Sequence, residues 1–501
     1  MSGLVLALVF LPLVTVILII VLNVFKVKLP GPLVFLSIAG EFLFALYIMV
    51  YNFSLIREGE FVWTGEIGGE WLPLTFLNIT FTLDTLGLIF SFMVSLALFL
   101  LVLYSLGFMD FEDPGRERRF YIYLFLVLAA MQGALLTGDI FSLFIFIELV
   151  TIFTAPLVAF NRSQEAVDAA IKYLFFGLAG GVFFFLGLVL LYFSLGTVNM
   201  AEIASSFSSL DIGIQLMVIG SFVLSLLIKL GIFPFHFWIP LAHSICPAPI
   251  SALLSGVLLK IYIYIFVRML WIVLDFSLLV EYGIDDVIIY LCLFSSLLGH
   301  VFALQMKDLK KMLAYSTVGN MGMLIAVAVL NTSAALYAVL LHMIGHIMMK
   351  SSLFTGAGYL LDDNHNIKQL RGKGPGERYI FGSFVVSGLS MAGFPPLIGF
   401  IGKWYILLAF LSASHHVGAL VVLAGGIISL LYYLRCIYRG YSGKAPKKRK
   451  KNHRGWKVKT VIYSFTLLVL LLGIFYHVLD IPLNIAVEEL MHPVNYIQLV
   501  N

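Results

Sequence analysis

The chain has 501 residues, of which 61% are hydrophobic and 12% charged, and its formal net charge at pH 7 is +4. Its mean hydropathy of +1.03 lies far above that of soluble globular domains, so a single soluble fold is excluded. Because a bilayer-spanning helix needs roughly 20 mostly apolar residues, a chain of this length can hold about fourteen of them with short connections.

Apolar runs of sufficient length predict an all-α integral membrane protein. Fourteen spans are predicted, near residues 3–23, 33–53, 85–106, 120–137, 139–160, 171–195, 213–232, 247–270, 286–304, 311–330, 334–360, 379–409, 417–437 and 460–478. The first run is too long for the apolar core of a signal peptide and has no cationic segment before it. We therefore expect it to be the first span.

The charge of the connections alternates along the chain, and cationic residues are retained in cytoplasmic loops. One set of connections is basic and carries Lys26, Lys28, Arg116, Arg118, Arg119, Arg162, Lys307, Lys310, Lys311, Lys368, Arg371, Lys373, Arg378 and the run from Lys444 to Lys459. The other set is acidic and carries Glu58, Glu60, Glu66, Glu70, Glu202, Asp275, Glu281, Asp285 and Asp286. We expect a plasma membrane protein with both termini outside. The basic run is interpreted as a solvated cytoplasmic loop, with a lipid or partner contact as the alternative.

Several predicted spans carry ionisable residues well inside the membrane, where a Lys, Arg or Asp costs roughly 2.5 to 3.5 kcal/mol on insertion scales. In chain order these residues are Glu148, Lys229, Lys260, His342, His346, Lys350 and Lys403. His342, His346 and Lys350 recur every four residues and so share one helical face. Such groups must face one another or a water-filled interior. Bridged by water, they would form a proton path.

Each of these residues also has a structural interpretation. Glu148 could form a salt bridge that only holds helices together, and the lysines could extend to the membrane surface. The histidines and Lys350 could form hydrogen bonds between helices. We favour the functional interpretation because ionisable residues inside a membrane usually mark an ion pathway.

Other polar residues near the span ends are more ambiguous. Three of them are candidates for proton uptake or relay, with an ordinary interfacial position as the alternative: His236, His243 and Lys172. Asp84 precedes a span and is interpreted as a helix cap. Arg268 and Arg435 lie at span ends and are interpreted as anchors.

Two predicted spans are interrupted by proline. One break lies at Pro234 with Pro240, and the other at the double proline Pro395-Pro396. Non-helical backbone at membrane depth is tolerated only beside a cavity or inside protein. Discontinuous helices at corresponding positions of two halves indicate a transporter site, and GIFP (231–234) and GFPP (393–396) form such a pair.

Three cysteines are present and lie far apart in the sequence: Cys246, Cys292 and Cys436. They form neither a CxxC pair nor any other metal or iron–sulfur spacing. We therefore expect no metal, no bound cofactor and no disulfide framework.

Four segments together resemble one known family. They are FTLDTLGLIF (81–90), KLGIFPFHFWIPLAHSICPAPISALLSGVLLKIYIYIFVR (229–268), KDLKKMLAYSTVGNMG (307–322) and GFPPLIGFIGKW (393–404). The chain is similar to the antiporter-like subunits of complex I, of membrane-bound hydrogenases and of multisubunit Mrp sodium/proton antiporters. The D-type Mrp subunit and its hydrogenase homologues are the nearest in length. One departure is Leu241, which stands where the family motif WLPDAH has an acidic residue.

The resemblance implies two inverted five-helix repeats with two broken helices. The expected divisions are an N-terminal three-helix segment (1–110), two repeats (111–275 and 276–440), and a basic loop with the last span (441–501). Residue by residue, the resemblance pairs Glu148 with Lys229 and makes Lys260 the link between the halves. His342 and His346 would continue the path, and Lys403 would end it.

These observations predict a subunit that translocates protons, with or without exchange for sodium, inside a larger membrane complex. Its partners would be other membrane subunits of an Mrp-type, hydrogenase-type or complex I-type assembly. Two other functions remain open: a structural membrane scaffold without transport of its own, and a catalytic membrane enzyme. The enzyme is disfavoured because no nucleophile, metal cluster or cofactor constellation is evident.

Overall fold

The computed structural model describes residues 2–27, 31–58, 62–67, 79–111, 113–274, 276–361, 365–443 and 455–492. Some residues of the charge pattern lie outside the described residues, namely Lys28, Glu60, Glu70, Asp275 and residues 444–454 of the basic run.

Helices make up most of the described chain. The longer helices are α1 (Ser2–Val24), α2 (Gly31–Glu58), α3 (Thr85–Phe108), α4 (Pro114–Leu136), α5 (Ile140–Val158), α6 (Gln164–Leu195), α7 (Ile212–Lys229), α8 (Trp238–Ile245), α9 (Ala248–Val273), α10 (Ile284–Gln305), α11 (Leu309–Ala328), α12 (Ser333–Leu360), α13 (Arg378–Ala392), α14 (Ile398–Ser412), α15 (His416–Tyr441), α16 (Trp456–Ile474) and α17 (Asp480–Met491). Shorter helices lie at Met200–Ser206, Ser277–Glu281 and Lys373–Gly376.

The helical membrane fold expected from the sequence is confirmed. Among the described residues, twelve helices are at least 18 residues long and apolar enough to cross a membrane, and α14 is a shorter apolar helix. Each predicted run coincides with a helix, except that the run at 379–409 is divided between α13 and α14. The count of fourteen spans and the inverted repeats stay predictions.

A β-hairpin that the sequence analysis did not anticipate precedes α3. Strand β1 (Val62–Ile67) pairs antiparallel with β2 (Ile79–Asp84), in a register that places Val62 opposite Asp84. The amide of Gly138 donates to the carbonyl of Thr80 at 2.8 Å, which ties β2 to the α4–α5 connection. The predicted cap at Asp84 is confirmed, because its carboxylate accepts from the amide of Gly87 at 2.7 Å.

Both helix breaks predicted from the prolines are present. Helix α7 ends at Lys229, after which Gly231 adopts a φ of +62° and the chain resumes as α8. A Cβ at Gly231 would lie 2.3 Å from a carbon of Ile239, so this turn requires glycine for space as well as for conformation. Helix α13 ends at Ala392, and Gly393 has a φ of +90°.

Helices α9 and α12 form the centre of the bundle. The whole apolar stretch of α9 is buried, as is most of α12. Glycine lets these two helices approach closely, because a Cβ at Gly256 would lie 2.5 Å from the Ser351 hydroxyl. Lys260 and the residues His342, His346 and Lys350 therefore lie in the interior.

Candidate functional site

Glu148 of α5 and Lys229 of α7 form an ion pair inside the bundle. The Lys229 Nζ lies 2.8 Å from Glu148 Oε1, and the two side chains are 14% (Glu148) and 0% (Lys229) exposed. Lys229 Nζ also donates to the carbonyl of Gly177 at 2.9 Å. The lysine is the last residue of α7, so its charge lies at the C-terminal end of a helix dipole and beside the break.

Glycines of α6 make room for this ion pair. A Cβ at Gly181 would lie 2.4 Å from Glu148 Oε1, and one at Gly180 would lie 2.8 Å from Lys229 Cγ. At Gly177 a Cβ would lie 2.4 Å from Thr151 Cγ2. Helix α6 therefore supplies a smooth surface against which the two charged side chains pack.

Lys260 lies in the middle of α9 and is completely buried. Its Nζ donates to the carbonyl of Ser255 at 2.5 Å, within a π-helical stretch at Leu253–Leu258. Such π-segments interrupt the regular backbone ladder and occur often at functional sites. The Ser255 hydroxyl in turn hydrogen-bonds the Thr317 hydroxyl of α11 at 2.7 Å.

Two of the three ionisable residues of α12, Lys350 and His342, bond residues of α11. Lys350 Nζ donates to the carbonyl of Leu313 at 2.7 Å and to the Ser316 hydroxyl at 2.9 Å. His342 Nε2 lies 3.4 Å from Asn320 Oδ1. The rings of His342 and His346 are 6.0 Å apart, and neither nitrogen of His346 has a hydrogen-bonding partner among the described residues.

Lys403 of α14 points back to the second break. Its side chain is buried, and Nζ donates to the carbonyl of Met391 at 2.7 Å. Met391 is the penultimate residue of α13, so the ammonium satisfies a carbonyl that the helix end leaves without an intrahelical donor. Both breaks thus have a lysine at a helix C-terminus: Lys229 at the first and Lys403 at the second.

Five of these residues form one buried cluster, namely Lys260, His342, His346, Lys350 and Lys403. His346 is within electrostatic range of Lys260, Lys350 and Lys403, and His342 is within range of Lys260 and Lys403. We call the set Glu148, Lys229, Lys260, His342, His346, Lys350 and Lys403 the central row. Among the described residues Glu148 is its one carboxylate, and the three lysines after Lys229 bond only neutral oxygen atoms.

The three ambiguous relay candidates differ in position. His243 of α8 is fully buried and neither ring nitrogen has a partner among the described residues. His236 is also buried, within the break, where its ring stacks on those of Phe233 and Phe302. Lys172 is exposed on the outer surface of α6 and does not join the central row.

A cavity of about 410 Å³ opens near the end of α8. Ser244 and Cys246, which follow His243 closely, line it together with Asp308 and Lys310 of the α10–α11 region. Lys310 is buried and donates to the carbonyl of Cys246 at 2.7 Å. The cavity therefore brings polar groups to within a few residues of His243.

Arg268 is not the surface anchor that the sequence suggested. The residue is 1% exposed, and its Nη1 lies 2.7 Å from Asp84 Oδ2. The guanidinium also donates to the Tyr264 and Thr82 hydroxyls at 2.6 and 3.0 Å. The anchor interpretation failed because Asp84 comes from a strand far away in the sequence.

Arg435 does lie near a helix end, but it binds another helix. Its guanidinium donates to the carbonyls of Leu304 and Met306, at 2.6 and 2.8 Å, at the C-terminus of α10. The sequence analysis also missed His300 of α10, which is buried, lies 3.3 Å from the Tyr432 hydroxyl and is within electrostatic range of Lys403 and Lys350. A histidine inside a predicted span was the signal that could have found it.

Comparison with known proteins gives two family matches. Residues 137–429 match the family described as NADH:quinone oxidoreductase/Mrp antiporter, and residues 71–121 match that of the complex I chain 5 N-terminus. The N-type subunit of the NADH-quinone oxidoreductase of Desulforudis audaxviator is 30% identical over 70% of this chain and 71% of its own length. The D-type subunit of the Na(+)/H(+) antiporter of Bacillus subtilis is 29% identical over 79% of this chain and 81% of its own length.

A solved structure shares the whole fold. A chain of the membrane-bound sulfane sulfur reductase, an archaeal respiratory membrane complex, superposes with a TM-score of 0.88 over 99% of both chains, at 23% identity.

Proposed function

Because this chain belongs to the family of NADH:quinone oxidoreductase and Mrp antiporter membrane subunits, we propose that it translocates protons along the central row as one subunit of a multisubunit membrane complex. The observation that carries the proposal is the Glu148–Lys229 ion pair at the end of a broken helix. A buried pair next to irregular backbone can open without unwinding a whole helix.

The energies involved are of matching size. Two unit charges about 4 Å apart at an effective dielectric of about 20 interact by roughly 4 kcal/mol. Moving one charge across 100 mV corresponds to roughly 2.3 kcal/mol. Closing or opening the Glu148–Lys229 pair therefore changes the energy of the proton on Lys229 by an amount comparable with the membrane potential.

The three lysines of the row after Lys229 suit proton transfer because they have no acidic partner among the described residues. Lys260, Lys350 and Lys403 lie within electrostatic range of the same histidine, so a proton on one disfavours a proton on the others. The unpartnered nitrogens of His346 offer sites for bridging water. A proton that arrives at one end of the row thus drives one off at the other.

Proton uptake is assigned to the end of the bundle that carries the cavity beside α8. His243 is within electrostatic range of Lys350 and Lys260 of the row and of Lys310, which lines the cavity, and His236 lies in the adjoining break. The basic connections also lie at this end of the bundle. Arg118 at the start of α4 donates to Asn23 Oδ1 and to the Val27 carbonyl, so the start of α4 meets the end of α1 there. We assign it to the cytoplasm, with both termini outside and residues 111–275 and 276–440 as the two repeats.

The host complex supplies the driving force. The relatives are subunits of a quinone oxidoreductase and of a sodium/proton antiporter. Energy therefore comes either from redox chemistry in a partner subunit or from an opposing sodium gradient. The chain acts together with those membrane subunits rather than alone.

The proposal is tested by measuring ion pumping in sealed vesicles that contain the intact complex with Glu148→Gln or Lys229→Ala. Removing one partner of a buried pair costs about 3 to 5 kcal/mol, and we expect either change to abolish pumping while the complex still assembles. Arg119→Ala is the matched control, since it breaks the exposed Arg119–Asp113 pair. Unchanged pumping in E148Q would instead support the scaffold function.

A further inference from the structure

Helix α2 carries an acidic residue that the central row does not use. Glu41 is 1% exposed and lies ten residues from the start of α2, which places it about 15 Å along the helix. It belongs to the buried stripe of α2 together with Val34, Ile38 and Ala45. The stripe packs on α3, where Phe42 stacks on Phe99 with ring centroids 5.2 Å apart.

Glu41 has no basic partner among the described residues. Neither carboxyl oxygen has a hydrogen-bonding partner within 3.5 Å, and the polar side chain that faces it is Ser95 of α3. The helices packed on α2 bring no cation: α1 has no ionisable side chain, α3 has only Tyr104, and α17 contributes the acids Asp480, Glu488 and Glu489. A lone carboxylate at this depth would cost several kcal/mol.

Ser95, which faces Glu41, is itself part of a hydrogen-bonded group. The Gln132 Nε2 of α4 donates to Ser95 Oγ at 2.8 Å and to the carbonyl of Ser91 at 3.2 Å. The Ser91 hydroxyl donates to Gln132 Oε1 at 2.6 Å. The backbone carbonyl of Ser91 can only accept a hydrogen bond, so the side-chain nitrogen of Gln132, and not its oxygen, must face it. This contact fixes the orientation of the Gln132 amide group.

We propose that Glu41 is a second proton-binding site of this chain, separate from the central row. Its carboxyl group faces Ser95, whose hydroxyl accepts a hydrogen bond from Gln132, so the site lies against a polar patch formed by α3 and α4. A proton fits the site better than a sodium ion, because Gln132 presents its NH₂ group rather than its oxygen toward Ser95, and the Ser91 and Gln132 oxygens already accept or share hydrogen bonds.

Infrared difference spectroscopy of the intact complex tests the site, because a protonated carboxyl group has its own carbonyl stretching band. We expect a band present in the wild-type protein and missing in Glu41→Gln, but retained in Glu148→Gln. The band should shift in D₂O, since the proton exchanges. Ser95→Ala should shift it to higher wavenumber, because the facing hydroxyl is lost.

Two results would overturn the inference. Identical spectra for the wild type and E41Q would mean that Glu41 holds no proton. Loss of the band on adding sodium at constant pH would make this a sodium site. If the complex with E41Q fails to assemble, Glu41→Asp is measured instead. We then expect the carbonyl band to be displaced from its wild-type position, and a spectrum identical to that of the wild type would contradict the inference. None of these measurements requires transport. Their outcome therefore tests the Glu41 site independently of the function proposed above.

Discussion

Two buried ion pairs in the described residues differ in what their cation can do. Lysine can lose its proton inside a protein, whereas the guanidinium of arginine stays charged. Lys229 pairs with Glu148 beside a helix break, while Arg268 pairs with Asp84 where β2 meets α3. The first pair is therefore suited to proton transfer, and the second can only hold the hairpin, α3 and α9 together.

Arg268→Ala should destabilise the protein by about 3 to 5 kcal/mol, because Asp84 would remain as an uncompensated buried charge. Thermal unfolding of the purified complex measures the effect. Arg119→Ala, which breaks an exposed pair, should change stability by at most about 1 kcal/mol. Equal midpoints for R268A and R119A would show that the buried pair does not stabilise the fold.

His365 lies in the connection between α12 and α13, where burial and the nearby Lys310 lower its pKa to about 3. In the unfolded chain a histidine has a pKa near 6.5. Between these two pKa values the unfolded chain binds a proton at His365 that the folded chain does not bind. The contribution of the neutral, buried His365 to folding stability is therefore complete above about pH 6.5 and is lost as the pH falls toward 3.

We therefore expect His365→Asn to flatten the decrease in thermal stability of the complex between pH 7 and pH 5. His416→Asn, at an exposed histidine that begins α15, is the control and should keep the wild-type slope. If H365N retained the full pH dependence, other groups would have to account for it.

At the scale of elements, the glycines of α6 decide whether the Glu148–Lys229 pair can form. Helix α6 is 32 residues long and carries Gly177, Gly180 and Gly181 where it meets α5 and α7. In a sequence such a cluster is read as ordinary small residues of a membrane helix. Their role becomes visible only when the side chains across the interface are placed.

Gly181→Ala should abolish pumping, because its Cβ would lie 2.4 Å from Glu148 Oε1 and would displace the carboxylate from Lys229. Gly220→Ala in α7 is the matched control, since a Cβ there meets nothing within 4 Å. Pumping by vesicles with equal amounts of complex is the measurement. Activity in G181A equal to that in G220A would contradict a tight requirement for the pair.

At the scale of the whole molecule, the two central helices join the two breaks. Helix α9, which carries Lys260, packs on α7, and α12 packs on α14, which carries Lys403, so the row runs across the bundle rather than along one helix. Connections with basic residues meet at one end of the bundle and the hairpin lies at the other, which gives the molecule two chemically different faces.

The proposed orientation predicts which connections are reachable from outside the cell. The native cysteines are all buried, so single exposed positions can be labelled selectively. A membrane-impermeant maleimide should modify Ser208→Cys in intact cells and Gln164→Cys only after permeabilisation, because these exposed residues lie toward opposite ends of α6, Gln164 as its first residue and Ser208 in the connection that follows it. The reverse pattern would place the basic connections outside.

The sequence by itself determined the membrane class, the helical runs, both helix breaks, the family and which ionisable residues lie inside the predicted spans. These features are properties of single segments: hydropathy, proline, glycine and the cost of an ionisable group in lipid can be evaluated without knowing what packs against them. By the same rule, Glu41 and His300 could have been found, since both lie inside predicted spans.

Only the tertiary structure decided which charged groups meet. It paired Asp84 with Arg268, turned Lys172 outward, brought Arg435 to the end of α10 and added the hairpin. The physical reason is that contact depends on how each helix is rotated about its axis, and that rotation is set by packing against helices distant in the chain. Hydropathy gives the depth of a residue in the membrane, but not its neighbour.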